Sequence, residues 1–325
     1  MQRSIHAGIN FILKRLGFIL QDIEKEWERG AFAKLYETRI NDVPYKSEYP
    51  AECIVFSRDR SLQLHALLAS YSEKKVLPIP LHVLYHSSTS SHQKAYEEVI
   101  KIFSNDYISF IKQDSDTSFR KDLLSILATI RSDKTFFLVD DVVFIEDFDI
   151  RDFAQFDTDK FVPTLRMGLN LCKCYTLQQE QPLPELQSNL IADDDKTTWK
   201  WNDGVYDWSY PLSVDGHLFS TQEIRAMTEL IDFSAPNTYE DQLQRFRRFF
   251  SCRLGVGYRK SKIVNIPCNK VQTENKNLYG NVHQDYLLEQ WHKGFQMDYR
   301  RLYGYVNESA HQEISFEFKN RDETL

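Results

Sequence analysis

The sequence predicts an α/β fold: an open, mostly parallel sheet with helices on both faces. A helical segment precedes it and an irregular part follows it. Three observations carry this expectation. Short apolar runs alternate with segments of helical period between residues 51 and 141. Polar clusters end each apolar run. The 325 residues, 42% hydrophobic and 27% charged, suffice for one large domain or two modest ones.

Residues 1–48 read as a helical extension. In INFILKRLGFILQDIEKEW, Ile9, Ile12, Leu13, Leu16, Ile19, Leu20 and Ile23 recur at helical spacing around Lys14 and Arg15. Such a face packs on the main domain or a partner chain, or lies on a membrane surface. The acids Asp22, Glu24, Glu26 and Glu28 favour packing, because anionic lipid would repel them. No signal peptide and no apolar run of 18 residues is read, so the expected location is cytoplasmic, with contact at the inner membrane face as the alternative.

The main unit is expected over 49–252. Ile54-Val55-Phe56 reads as the first strand, stopped by Ser57-Arg58-Asp59-Arg60, and LQLHALLASYSEKK as the first helix after it. LPIPLHVLYHSS, YISFIKQ and KTFFLVDD read as further strands, with SHQKAYEEVIKIFSN and SFRKDLLSILATIRSD as the helices between them. In SAPNTYEDQLQRFRRFF, Asn237 or Thr238 can cap a helix whose first turn is acidic. Residues 253–325 are expected to pack on the same domain.

Ligands of parallel sheets sit at the C-terminal strand ends. Arg58-Asp59-Arg60 and Asp140-Asp141 both fall there and can face one crevice. Two carboxylates ending a buried strand can hold a divalent cation, which neutralises a diphosphate; the plain alternative is a pair of turn-capping aspartates. An arginine pairs with phosphate, and a carboxylate accepts from a base or ribose; of the three residues, Arg60 is the one expected to be a surface turn. Asp215-Gly216-His217 reads as a sugar- or acceptor-binding loop, with Trp199, Trp201 and Trp208 available to stack on a sugar, or as a strand–turn–helix corner capped by Ser220 or Thr221. His283 and His311 read first as packing or surface residues.

The net charge of −7 speaks against a nucleic-acid binder. Aromatic residues reach 14%, with 22 Phe and 17 Tyr, which suits carbohydrate handling and large cores alike. The five cysteines lack a CxxC pair and read as reduced packing thiols.

IVFSRDRSLQLHALLASY, KTFFLVDDVVF and NTYEDQLQRFRRF occur in this order over roughly residues 50–250. Together they resemble the glycosyltransferases of the GT-A fold, especially family 2, with their opening strand–turn–helix, DxD-type motif and "ED" helix. The resemblance implies transfer of a sugar from a nucleotide-diphosphate sugar, a UDP-sugar favoured, to a glycan or lipid-linked acceptor in surface polysaccharide or glycan assembly, with inversion. It implies donor contacts from Ser57, Arg58, Asp59, Asp140 and Asp141, and from Asp114 and Arg120 in the loop after the third strand. It implies Mn²⁺ or Mg²⁺ on Asp140 and Asp141, completed by His311, and a catalytic base at Glu240 or Asp241. Acceptor contacts are expected from Trp208, Asp215 and His217. Val139 stands where the first acid of a DxD motif would be. A non-catalytic binding protein is the alternative, and a sugar nucleotidyltransferase a weaker one, because SRDRS contains no glycine for a phosphate loop.

Overall fold

The computed structural model describes residues 25–41, 47–113, 117–187, 193, 195–267, 282–315 and 317–321. Helix α1 spans 25–40; the amphipathic segment read from Ile9 lies mostly outside the described residues. The expected alternation then follows: β1 (Glu52–Arg58), α2 (Ser61–Lys74), β2 (Leu81–His86), α3 (Ser90–Phe103), β3 (Ile108–Lys112), α4 (Phe119–Thr129) and β4 (Lys134–Val139). After it come β5 (Val142–Phe144), α5 (Ile150–Ala154), β6 (Phe161–Gly168), β7 (Lys173–Cys174), β8 (Gln179–Glu180), β9 (Lys196–Lys200) and β10 (Leu218–Ser220). The chain continues through α6 (Thr221–Leu230), α7 (Pro236–Leu243), α8 (Arg247–Phe250), β11 (Leu254–Tyr258), β12 (Ile263–Asn265), α9 (Gln284–His292), β13 (Phe295–Met297) and β14 (Phe318–Asn320).

The main sheet has the order β10-β4-β1-β2-β3. β1 pairs in parallel with both β2 and β4, and β2 with β3; β10 closes the edge antiparallel to β4. The fold is therefore the mixed α/β, mostly parallel sheet expected from the sequence. Alternation along β1 feeds two cores: Cys53 and Val55 join the cluster containing Leu67, Leu138 and Trp291, whereas Ile54 and Phe56 join that containing Leu127, Phe137 and Trp199. Burial on both faces explains why β1 and β4 read as continuous apolar runs.

The expected boundary at 252 falls just before β11, which lies between β6 and β9 in a second sheet. β12 pairs antiparallel with β5, directly after the aspartate pair. Residues Leu287, Trp291, Met297 and Leu302 enter the same core as Val55.

Helix α7 starts earlier than expected. Pro236 opens it and Ala235 is the cap residue, while the Thr238 hydroxyl accepts from the Ala235 N–H at 2.9 Å. Proline suits a first helical position because no N–H partner is needed there. Cys53, Cys172, Cys174 and Cys252 are free thiols among the described residues. His283 caps α9, its ring accepting from the Asp285 N–H at 3.3 Å.

Candidate functional site

A cavity of about 640 Å³ opens at the C-terminal ends of the parallel strands. The floor is built by register. The Asp140 N–H donates to the Phe56 carbonyl at 3.1 Å, which carries the β1–β4 ladder one residue past β4. The aspartate pair therefore stands level with Ser57 and Arg58. One Asp140 oxygen, Oδ2, accepts from the Ser57 hydroxyl at 2.8 Å and from the Arg58 N–H at 3.1 Å. The other, Oδ1, takes a 3.0 Å bond from Arg60 Nη1, and the same nitrogen reaches Asp141 Oδ2 at 2.7 Å. Asp141 Oδ1 accepts from Asn265 Nδ2 at 3.0 Å. Burial pushes the Asp140 carboxyl up to about 6 against the pull of Arg60. Burial raises Asp141 as well, with Arg60 again opposing it.

A second group lies on the facing wall. His311 Nε2 is 3.1 Å from Asp215 Oδ2, and Arg166 Nη1 is 3.6 Å from the same oxygen. Arg166 also holds Asp207 at 2.7 Å and the Ser213 hydroxyl at 3.0 Å. Burial alone would raise Asp215, but its bond to His311 and the nearby positive charge hold it below the ordinary carboxylate range. For His311, burial would lower the pKa, and Asp215 raises it on balance. Gly216 makes this geometry possible: its φ is +74°, and a Cβ there would meet Ile263 Cδ1 at 2.7 Å.

Glu240 and Asp241 reach the cavity from α7, Asp241 with its side chain exposed. The Glu240 carboxylate accepts from the Val214 N–H at 3.3 Å and is also bonded to Ser213. Burial, then the negative charge of Asp215, pushes Glu240 up to about 7. A carboxylate with that value takes a proton efficiently near neutral pH.

Ser57, Arg58, Asp140, Asp141, Asp215, Glu240, Asp241 and His311 line one cavity. Asp114 lies outside the described residues. The expectations for five other residues are corrected. Arg60 is no surface turn: its side chain is 12% exposed and locked between two acids. Arg120 turns away and donates to the Ile231 and Glu229 carbonyls, each at 2.8 Å, at the end of α6. Asp59, in left-handed backbone at φ +53°, spends its carboxylate on the Ser88 N–H and hydroxyl, both at 2.7 Å, and so joins the turns after β1 and β2. Trp208 and His217 are core residues rather than acceptor contacts. Trp208 is fully buried with its ring 4.8 Å from that of Trp199, which in turn lies 4.9 Å from Trp201. His217 packs beneath Trp201 and contacts the Pro211 carbonyl; burial drives it down to about 3, so it is neutral. The corner reading of this stretch holds too, since Ser220 caps α6.

Among the described residues, no three of His, Cys, Asp and Glu are grouped to hold a metal. The four oxygens of Asp140 and Asp141 already have donors. A divalent ion on both would have to displace the guanidinium that both carboxylates already hold. The pair as arranged does not fit the expected ion.

No family model matches the chain, and no curated protein matches it. Solved structures do show a distant similarity. One is 4-diphosphocytidyl-2C-methyl-D-erythritol synthase from Anaerococcus prevotii, at 11% identity and a TM-score of 0.40, covering 69% of this chain and 91% of that one. S. aureus TarS residues 1–349 match at 14% identity and a TM-score of 0.39, covering 66% of this chain and 59% of that one. A longer S. aureus TarS structure matches at 14% and 0.38, covering 74% of this chain and 38% of its own.

The site also contains residues that the sequence reading passed over. Arg166 and Asn265 hold the acids in place, and Tyr175, Tyr206 and Tyr210 line the wall beyond them. Arg166 left a signal: an arginine inside the apolar strand FVPTLRMG requires a buried acid. The tyrosines left none, because exposed aromatics occur widely along the chain.

Proposed function

We propose that the chain is a glycosyltransferase that moves a sugar from a nucleotide-diphosphate sugar to an acceptor hydroxyl. One observation carries the reading: a single cavity is lined by arginines and a strand-end aspartate pair on one side and by a carboxylate tuned to about 7 on the other. The donor lies over the ends of β1 to β4, with its diphosphate toward Arg58 and Arg60. The acceptor enters past Tyr175, Tyr206 and Tyr210. A UDP-sugar donor and a glycan or lipid-linked acceptor are the pairing favoured, in surface polysaccharide or glycan assembly at the cytoplasmic side of a membrane. No helix among the described residues is long and apolar enough to cross one.

In this reading the acceptor oxygen attacks the anomeric carbon, and its proton passes to the Glu240 carboxylate. The bond from that carbon to the diphosphate oxygen breaks, and the nucleoside diphosphate leaves with the electron pair. Attack from the face opposite the leaving group inverts the centre. Arg58 and Arg60 stabilise the charge that builds on the leaving oxygen. Asp241, exposed on the same helix, is the second candidate for the base. No step of this reading runs through a metal ion.

The test is nucleotide release from UDP-, GDP-, CMP- and dTDP-sugars, with melting temperature read for each. Release with one donor, cut roughly 100-fold or more in Glu240→Gln while nucleotide binding persists, is the expected result. If Asp241→Asn gives that loss and Glu240→Gln does not, the base is Asp241. Binding without release by the wild type favours a non-catalytic binding protein; no binding to any donor rejects the reading.

A further inference from the structure

We infer that Arg60 is the standing counter-cation of the Asp140–Asp141 pair, and that a nucleoside diphosphate binds this site without a divalent ion. The inference rests on the nucleotide-sugar reading and sharpens how that site holds its donor.

The geometry is specific. Arg60 Nη1 is shared between Asp140 at 3.0 Å and Asp141 at 2.7 Å, in side chains that are 12%, 5% and 10% exposed. A cation placed between two carboxylates at a strand end lets the two acids coexist, as a bound metal would, and halves the negative charge that a phosphate meets there. The other oxygens of the pair are already bonded to Ser57, the Arg58 N–H and Asn265.

Arg60 is also fixed from behind. Its backbone N–H donates to the Tyr96 hydroxyl at 3.1 Å, and that hydroxyl is 2.6 Å from Ser57 Oγ. Arg60 stands at the entry to α2, and this bond fixes its backbone beside the end of β1 that carries Ser57 and Arg58. Further positive charge stands on the same cavity walls. Arg58 is exposed at the rim and Arg166 is buried. Guanidinium groups match phosphate oxygens in shape and keep their charge at any working pH. Val139 fits this arrangement: with a fixed cation in place, the first acid of a metal motif has no role.

The test is calorimetric titration of UDP and of GDP into the full chain, first in excess EDTA and then in excess MnCl₂. Affinity in EDTA within about twofold of that in Mn²⁺ is expected. Arg60→Ala is expected to lose roughly tenfold or more in EDTA and to regain part of it in Mn²⁺, as the metal enters the vacated place. Arg60→Lys keeps the charge and serves where the alanine variant fails to fold, as judged by circular dichroism; it is expected to bind in EDTA between the two, because ammonium lacks the planar fork. Wild-type binding that appears only with Mn²⁺ overturns the inference and leaves the glycosyltransferase reading standing. Equal binding by wild type and Arg60→Lys and Arg60→Ala in EDTA overturns it too. No binding of either nucleotide in either condition, together with no response in the donor screen, overturns both.

Discussion

His311 and Asp215 meet on one wall of the cavity, with Nε2 3.1 Å from Oδ2. Backbone pairing makes the contact: residue 311 forms a parallel bridge with Asn265 at the end of β12, and Asn265 also reaches Asp141. The late histidine is thereby delivered to the site by the strand that pairs with β5. Asp215→Asn removes the charge that raises His311. The imidazole pKa, read by NMR titration, should fall in that variant, since burial and the charge of Arg166 then face only the weaker pull of Asp207. An unchanged titration would show that Asp215 does not control it. The signs follow by linkage. His311 is raised, so its stabilisation is complete below its ordinary value and fades as pH rises through the folded value. Asp215 is depressed, so its stabilisation is present above its ordinary value and is lost as pH falls through the folded one.

Glu240 makes the opposite prediction. Its folded value of about 7 lies above the ordinary 4.5, so its neutral form is the one that folding favours. The stability it contributes is complete below the ordinary value and is lost as pH rises through about 7. Glu240→Gln should therefore melt higher than wild type at pH 8 and equally at pH 4. The gain is on the order of 1–2 kcal/mol once access to cavity water is allowed for. The activity runs the other way. A base must be ionised, so kcat/KM of the wild type should rise with pH and level off above about 7. A glutamine variant that melts lower at pH 8 would refute the environment described for this carboxylate.

Arg120 separates the site from its surroundings. It satisfies two carbonyls at the end of α6 from α4, so Arg120→Ala should cost about 1–2 kcal/mol in urea denaturation. Nucleotide affinity should stay within about twofold, because the side chain points away from the cavity. A large loss of affinity with stability intact would restore the donor-binding role that its sequence position suggested.

How much of this was written in the sequence depends on the range of the interaction. The β1–α2 and β4 signals are local, and both elements stand where the apolar runs put them; burial on both faces made those runs continuous. The aspartate pair stood out as a candidate because acids at a buried strand end are costly without partners. The partners were not legible. Arg60 looks like any polar turn until register sets it against β4, and Arg166 and Asn265 arrive from strands far along the chain. The tryptophans misled for a related reason. An aromatic-rich loop suggests stacking on sugar, but Gly255 of β11 leaves a hollow where a Cβ would come within 2.3 Å of the Trp199 ring, so the rings close the core instead.

Arg253 and Glu223 form the strongest test of the fold outside the cavity. Both side chains are 1% exposed, and two bonds of 2.7 and 2.5 Å join the guanidinium to the carboxylate. Glu223 lies in the first turn of α6, where the helix dipole favours a negative charge. Arg253 precedes β11 and lies 3.9 Å from the Phe250 ring centroid. The pair therefore ties the helix that follows the main sheet's edge strand to the second sheet. Removing one member leaves a buried charge without its counter-ion, so Arg253→Met should cost about 3–5 kcal/mol. Glu223→Gln should cost a similar amount, because it leaves a guanidinium that cannot shed its proton buried without its counter-charge. Replacing both, as Arg253→Met with Glu223→Leu, should recover most of the loss, since two apolar side chains of similar volume need no partner. Urea midpoints with unchanged m-values read all three variants. A double variant as unstable as Arg253→Met alone would mean that the junction depends on the bidentate geometry rather than on charge balance.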